Sequence, residues 1–345
     1  MIRMLKMALL SLFLGAGTCN DPPEGKREEA EAAAAPARAE SAADAVEKKP
    51  VEPAVPAQEA AGAPEAPDVS FDVVRFAWRP DVPQVASAYR MDDPADQHRI
   101  VLPAPLDGTV AHPVILAFHG QPAPDRDPRD YWFPDAVQTQ VEELIRTGAV
   151  QNAILVIPVF RYVFGNWPQF HPGTFRDHVE ALLLERGIRT EKWVAFGHSG
   201  AAGCGGAGLN EIHLARPFAV GFFDTCLGPG WQKAVSTLQE KGIPVLNVFS
   251  VETAGFRPKQ RPEYQADFDF GRAFSHLGIE PVQCPDIHPG DQLRSLPHRC
   301  SATADGVVRA FVVDTGEGEQ AHMDVVKPAL TYFLTVAAGL ATPPP

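Results

Sequence analysis

The fold is decided by residues 193–201, which read WVAFGHSGA. The four leading apolar residues predict a buried strand, and the pentapeptide GHSGA follows it directly. A serine on a sharp turn between a strand and a helix adopts a strained backbone conformation, and only small neighbours leave room for it. Ala201 stands where glycine is usual in this pattern, and alanine is still small. The segment therefore predicts Ser199 as a nucleophile at the end of a strand.

Apolar strands alternate with amphipathic helices on either side of this turn, and two extended segments come first. Repeated strand–helix units after such a start imply an α/β fold with a mainly parallel central sheet and helices on both faces. The predicted strands cover residues 71–78, 99–106, 113–118, 153–159, 193–196, 218–223, 245–251 and 307–313, and the predicted helices cover 136–144, 175–184 and 325–338.

Residues 70–340 resemble the α/β-hydrolase family. The resemblance depends on the GHSGA turn, on the dipeptide His119-Gly120 after an earlier strand, and on a late histidine. It implies a catalytic triad in the chain order serine, acid, histidine, no metal and no cofactor. It also implies a small-molecule or acyl substrate, carboxylic esters first. Amides or peptides, including cell-wall material, are the alternative, and an inactive hydrolase-like binding protein is another.

The base that the resemblance implies is His322. It lies in the segment 316–323, GEGEQAHM, between the last predicted strand and the last predicted helix. A serine hydroxyl is a poor nucleophile near neutral pH and needs a base within hydrogen-bond reach. We expect this segment to be a loop.

Two carboxylates compete for the role of the acid. Glu252 follows the strand at 245–251, where most members of the family carry their acid, and Asp224 ends the preceding strand. We favour Glu252 and keep Asp224 as the alternative. The oxyanion hole is expected from backbone N–H groups, one of Gly200 and one of Gln121.

Four cysteines beyond Cys19 predict two disulfides, Cys284–Cys300 and Cys204–Cys226, although four cysteines allow three pairings. Zinc is a weak alternative, because the spacing of Cys284, His288, His298 and Cys300 fits no common site. The run 203–208 matches a dinucleotide fingerprint but lies inside the helix that we expect after Ser199 and not at a strand–helix junction, so its glycines are interpreted as packing positions.

Two further segments are expected to border the substrate cleft. Residues 253–305 form a long insertion rich in proline and aromatic residues, which is typical of a lid or a binding element. Residues 166–171, NWPQFH, follow a strand at the end where open α/β sheets bind ligands.

The N-terminus predicts export. Residues 1–18 combine two basic residues with a short apolar run, and Cys19 follows in a sequence that resembles a bacterial lipobox, so we expect lipidation at Cys19. Residues 19–69 are rich in alanine, proline and glutamate and predict a disordered tether. The protein would then be membrane-tethered in the periplasm or on the outer surface, or otherwise secreted, and would contact the membrane only through the lipid. The net charge of −13 makes nucleic acid an unexpected partner.

Overall fold

Ten strands form one sheet in the part of the chain that the structure describes. This computed structural model describes residues 69–78, 97–120, 132–159, 167, 170–202, 208–225, 227–251, 277–284, 298–316 and 318–342. The strands are β1 (Ser70–Phe76), β2 (His98–Ala104), β3 (Ala111–Phe118), β4 (Ile154–Ile157), β5 (Arg189–His198), β6 (Ala219–Phe223), β7 (Val245–Ser250), β8 (Glu280–Val282), β9 (His298–Ala302) and β10 (Val308–Val313).

The sheet is mainly parallel, as predicted. Its order is β1-β2-β4-β3-β5-β6-β7-β10-β9-β8, and the six strands from β4 to β10 in this order are parallel to one another. β1 and β2 at one edge and β9 and β8 at the other pair in the antiparallel sense, which makes the sheet mixed. Parallel strands end at a common edge, so the residues after β5, β6 and β10 lie along one side of the sheet.

The central strands are buried on both faces. Along β3, the side chains of Val114 and Leu116 pack with one apolar cluster and those of Ile115 and Ala117 with another. This alternation follows from the two-residue period of a strand. The runs of apolar residues that the sequence shows are therefore strands covered on each side by helices.

Five α-helices cover the two faces within the described ranges: α1 (Phe133–Arg146), α2 (Pro172–Leu184), α3 (Pro229–Glu240), α4 (Gly318–Asp324) and α5 (Val326–Tyr332), which continues as a π-helical turn at Phe333–Ala337. Buried residues of α2 and α3 join the cluster of Val114, and those of α1 and α5 join the cluster of Ile115. α1, α2 and α3 each have proline in the first turn, where the missing N–H costs nothing. No helix in the described ranges has the length and apolar character needed to cross a membrane.

The insertion at 253–305 contributes strands to the sheet. β8 and β9 pair with each other, and β9 extends the sheet beyond β10. A disulfide joins Cys284, just after β8, to Cys300 in β9, which confirms one of the two predicted pairings. Part of the insertion is therefore an edge of the sheet. The other predicted pair, Cys204 and Cys226, lies outside the described residues.

Candidate active site

The turn after β5 holds Ser199 in a strained backbone conformation. Its φ is 54°, in the left-handed region that L-residues other than glycine seldom adopt. A Cβ atom at Gly197 would lie 2.6 Å from the Cβ of Ala201 and 3.0 Å from Leu209, so only glycine fits before the turn. The strain and the tight packing are what the sequence pattern predicted for a nucleophile on this turn.

The chain after Ser199 differs from the expected continuous helix. Ser199–Ala201 forms a single 3-10 turn, and Ala202 is extended. A second 3-10 helix covers Gly208–Ala215, and residues 203–207 lie outside the described part of the chain. Gly208, the last glycine of the fingerprint-like run, has a φ of 57°, and a Cβ there would lie 2.7 Å from the indole of Trp167. This close approach agrees with a packing role for that glycine.

Asp224 is the carboxylate that contacts the predicted base. It follows β6 directly, is buried, and has a φ of 47°. Its Oδ2 atom lies 2.7 Å from Nδ1 of His322. Ser250, the last residue of β7, donates to the same carboxylate twice, from its backbone N–H to Oδ1 at 2.8 Å and from its hydroxyl to Oδ2 at 3.0 Å. The acid is thus supported by two neighbouring strands.

The hydrogen bonds keep Asp224 ionised. Burial alone raises the pKa of this carboxyl group, but the hydrogen bond and charge of His322 and the hydrogen bonds from Ser250 outweigh burial, so its pKa lies below the usual value. An ionised carboxylate only accepts, so Nδ1 of His322 carries a proton. Nε2 of a neutral His322 is then the nitrogen that can take up a proton.

His322 lies in α4, between β10 and α5, instead of in a loop. Its side chain is about 30% exposed, whereas that of Asp224 is fully buried. Asp224 is therefore shielded from solvent, while the side chain of His322 reaches the surface of the site. That arrangement suits a base whose partner orients it from behind.

A second imidazole, which the sequence analysis did not single out, touches His322. The ring centroids of His198 and His322 are 4.3 Å apart, and Nε2 of His198 donates to the backbone carbonyl oxygen of His322 at 2.9 Å. Burial lowers the pKa of His198 to about 3. Its position between a strand residue and the nucleophile was the only signal in the sequence, and the pattern leaves that position open to any residue.

The structure places some of the predicted site residues in contact and does not describe others. Asp224 faces His322, and His198 joins the base to the turn of Ser199. The contact with Nδ1 of His322 favours Asp224, which the sequence analysis kept as the alternative acid, over Glu252. Glu252 itself lies outside the described residues.

The predicted oxyanion hole is described only in part. Gly200 lies in the 3-10 turn directly after Ser199, and Gln121 is outside the described residues. His119, just before that segment, is buried, and its Nδ1 donates to the backbone oxygen of Gly120 at 2.6 Å. Burial lowers the pKa of His119 to about 4, so this imidazole is neutral near pH 7.

The prediction that residues 166–171 wall the cleft is wrong for the two aromatic side chains that the structure describes. Trp167 and Phe170 are buried, and both pack edge-to-face on Phe118 with ring centroids 5.1 and 5.4 Å away. Large aromatic rings in a strand–helix protein gain more by burial in the core than by lining an open cleft.

Two of the four residues considered as zinc ligands, Cys284 and Cys300, are not free to bind a metal ion. The sulfur atoms of Cys284 and Cys300 are bonded to each other and so are not thiolates. His288 and the side chain of His298 lie outside the described part of the structure. Among the described residues, no group of three or more His, Cys, Asp or Glu side chains is arranged to hold a metal ion.

No protein-family model matches the sequence, and no curated protein sequence matches it. Several solved structures resemble the chain. The feruloyl esterase module from Clostridium thermocellum, complexed with sinapinate, is 12% identical with a TM-score of 0.40 and covers 79% of this chain and 89% of its own.

A ferulic acid esterase from Anaeromyces mucronatus in complex with ferulic acid is 10% identical, with a TM-score of 0.43, over 79% of this chain and 92% of its own. An S-formylglutathione hydrolase from Agrobacterium tumefaciens is 9% identical, with a TM-score of 0.41, over 79% of this chain and 95% of its own.

Proposed function

We propose that this protein is a serine hydrolase of the α/β-hydrolase fold that cleaves carboxylic esters through an acyl-enzyme intermediate. The observation that carries the proposal is the contact between Asp224 and Nδ1 of His322 at the strand edge where Ser199 sits on a strained turn. An acid that holds the imidazole and a nucleophile on a tight turn are the two features that this chemistry needs.

In the proposed reaction, Oγ of Ser199 attacks the carbonyl carbon of the ester, and Nε2 of His322 takes the hydroxyl proton. Asp224 stabilises the imidazolium that forms. The bond between the carbonyl carbon and the leaving oxygen breaks, and the alcohol leaves with the proton from Nε2. Water then attacks the acyl-enzyme with His322 again as the base, which releases the carboxylic acid and restores Ser199.

The tetrahedral intermediate of each step carries a negative oxygen. We propose that the backbone N–H groups of Gly200 and Gln121 bind it. Loss of one such donor in a hydrolase costs about 3–4 kcal/mol of transition-state stabilisation, so these groups are a large part of the expected rate.

The first test is covalent labelling of the full chain with a serine-reactive fluorophosphonate, with the modified residue mapped by mass spectrometry. We expect one modification at Ser199 that is absent in Ser199→Ala and about a thousandfold slower in His322→Ala. A folded protein that stays unmodified contradicts the proposal and favours a hydrolase-like binding protein. Esters and amides with the same acyl group then decide the substrate class.

We also propose that the chain is exported and acylated at Cys19, on the strength of its N-terminal sequence alone. Incorporation of labelled palmitate into the wild-type chain, but not into Cys19→Ser, is the expected result. A secreted, unlabelled wild-type chain would leave export standing and remove the lipid anchor.

A further inference from the structure

We propose that His198 is a positioning residue that holds the His322 segment against the nucleophile turn. The inference rests on the proposed function, in which Ser199 is the nucleophile and His322 the base. It adds a link from β5 to the main chain of His322, whereas Asp224 orients the side chain of His322 from β6.

The link is a hydrogen bond between distant parts of the chain. His198 is the last residue of β5 and directly precedes Ser199. Its Nε2 atom lies 2.9 Å from the backbone oxygen of His322, which is 124 residues away in sequence. A carbonyl oxygen only accepts, so Nε2 of His198 carries the proton. The bond therefore joins the residue beside the nucleophile to the main chain of the base.

Aromatic contacts fix the orientation of the donor. The ring of His198 packs nearly parallel to Phe133, with centroids 6.0 Å apart and an interplanar angle of 10°. Trp132 meets it edge-on at 5.7 Å, and the ring of His322 lies at 4.3 Å. The imidazole has little freedom to turn away, so the carbonyl of His322 keeps its partner.

The charge state of His198 suits this role. Burial is the largest cause that lowers its pKa to about 3, and the charge of His322 lowers it further, while the hydrogen bond to the carbonyl of His322 and the charge of Asp224 oppose the shift. The ring is therefore neutral at working pH. A neutral ring keeps one N–H as a donor and places no positive charge beside His322, which must itself become positively charged during the reaction.

Packing alone does not explain an imidazole at this position. Nδ1 of His198 is buried and has no hydrogen-bond partner among the described residues. A buried polar atom without a partner destabilises a fold, and an apolar side chain of similar size would avoid that cost. The gain that offsets it is the hydrogen bond to His322.

A matched pair of variants tests the inference. His198→Gln places an amide N–H at nearly the position of Nε2, and His198→Met has about the same size without a donor. We would measure, in the full chain, the rate of phosphonate labelling at Ser199, kcat and KM for a simple ester, and the thermal midpoint. The low-field proton NMR signal of the Nδ1 proton of His322 reports the contact with Asp224 without any need for turnover.

The expected result is a labelling rate and kcat about ten- to a hundredfold lower in His198→Met, with KM within about twofold and a thermal midpoint no more than a few degrees lower. The NMR signal should broaden in this variant through faster exchange with water. His198→Gln should recover labelling and kcat to within about threefold of the wild type and keep the signal.

Two results overturn the inference. In one, His198→Met labels as fast as the wild type and keeps the NMR signal. In the other, His198→Gln is as impaired as His198→Met, which assigns the effect to ring shape. A wild type that neither labels nor hydrolyses esters contradicts the proposed function instead, and the NMR signals of the variants still decide the positioning. His198→Leu replaces the Met variant if that variant does not fold.

Discussion

The carboxylate of Asp224 determines which nitrogen of His322 carries the proton. Because Asp224 accepts from Nδ1, the neutral imidazole exposes Nε2 as its basic nitrogen. An amide at the same place can turn its own N–H toward Nδ1 and favour the opposite tautomer. The shape of the site then stays, but its base is lost.

We therefore expect Asp224→Asn to lower kcat by about ten-thousandfold with little change in stability. Steady-state ester hydrolysis measures the loss, and Glu252→Gln is the matched control, which should remain within about threefold of the wild type. A large loss in the control together with a small loss in Asp224→Asn would restore Glu252 as the acid.

Ser250 should have a smaller effect on the same carboxylate. Ser250→Ala removes the hydroxyl donor to Oδ2 and leaves the backbone N–H donor to Oδ1. A hydrogen bond to a charged group contributes about 1.5 kcal/mol, so we expect kcat about tenfold lower. Cysteine at position 250 retains a weak donor, and its activity should lie between those of serine and alanine. Equal activity of all three would mean that the backbone N–H is sufficient.

At the scale of elements, the sequence predicted the central strands well because continuous apolar runs are characteristic of strands that are buried on both faces. It missed α3, although Trp231, Ala234, Val235 and Leu238 are spaced as one helical face. It also missed β8 and β9. β8 is three exposed residues with Pro281 in the middle, and such an edge strand has no local signature.

The disulfide at this edge should contribute to stability. Cys284 and Cys300 are 16 positions apart, and closing a loop of about 15 residues stabilises a fold by about 3 kcal/mol in the chain-entropy treatment. We expect the double variant Cys284→Ser/Cys300→Ser to lose about that much free energy of unfolding in urea. Ester hydrolysis at 25 °C should be unchanged. Loss of activity at full stability would show that the edge acts on the site.

At the scale of the whole molecule, the histidines whose pKa is lowered by burial make stability depend on pH. Burial lowers the pKa of His98 and His119 to about 4 and that of His198 to about 3. In the unfolded chain histidine titrates near pH 6.5. Between about pH 6.5 and pH 4 the unfolded state therefore binds more protons than the folded state. The contribution of these histidines to the free energy of unfolding is present in full above this window and is lost as the pH decreases through it.

Each of the three histidines should contribute a slope of up to about 1.4 kcal/mol per pH unit within that window. Asp224 acts in the same direction at lower pH, where the pH falls below the ordinary carboxyl value of 3.8 toward the lowered pKa of this group. Urea unfolding at several pH values measures the slope. His198→Met should reduce it by about a third. Equal slopes in the wild type and His198→Met would show that His198 does not contribute to the pH dependence of stability.

The sequence predicts those parts of the site that short local patterns encode. The turn of Ser199 is encoded by five adjacent residues, and His322 by its place after the last strand. The choice between Asp224 and Glu252 depends on which of two strand ends lies nearer to α4, and no local pattern contains that distance. The role of His198 is invisible for the same reason, since its partner is a backbone atom 124 residues away.

β7 supports Asp224, and the long insertion begins just after this strand. Near its end, β7 supplies Ser250, which donates twice to the carboxylate of Asp224, and Val248, whose carbonyl oxygen accepts from the backbone N–H of Asp224. The long insertion begins there and returns to the sheet as an edge pair held by its own disulfide. The described strands of the insertion lie at the edge of the sheet, separated from β7 by β10, so substitutions can accumulate in β8 and β9 while the strands that hold Asp224 keep their sequence.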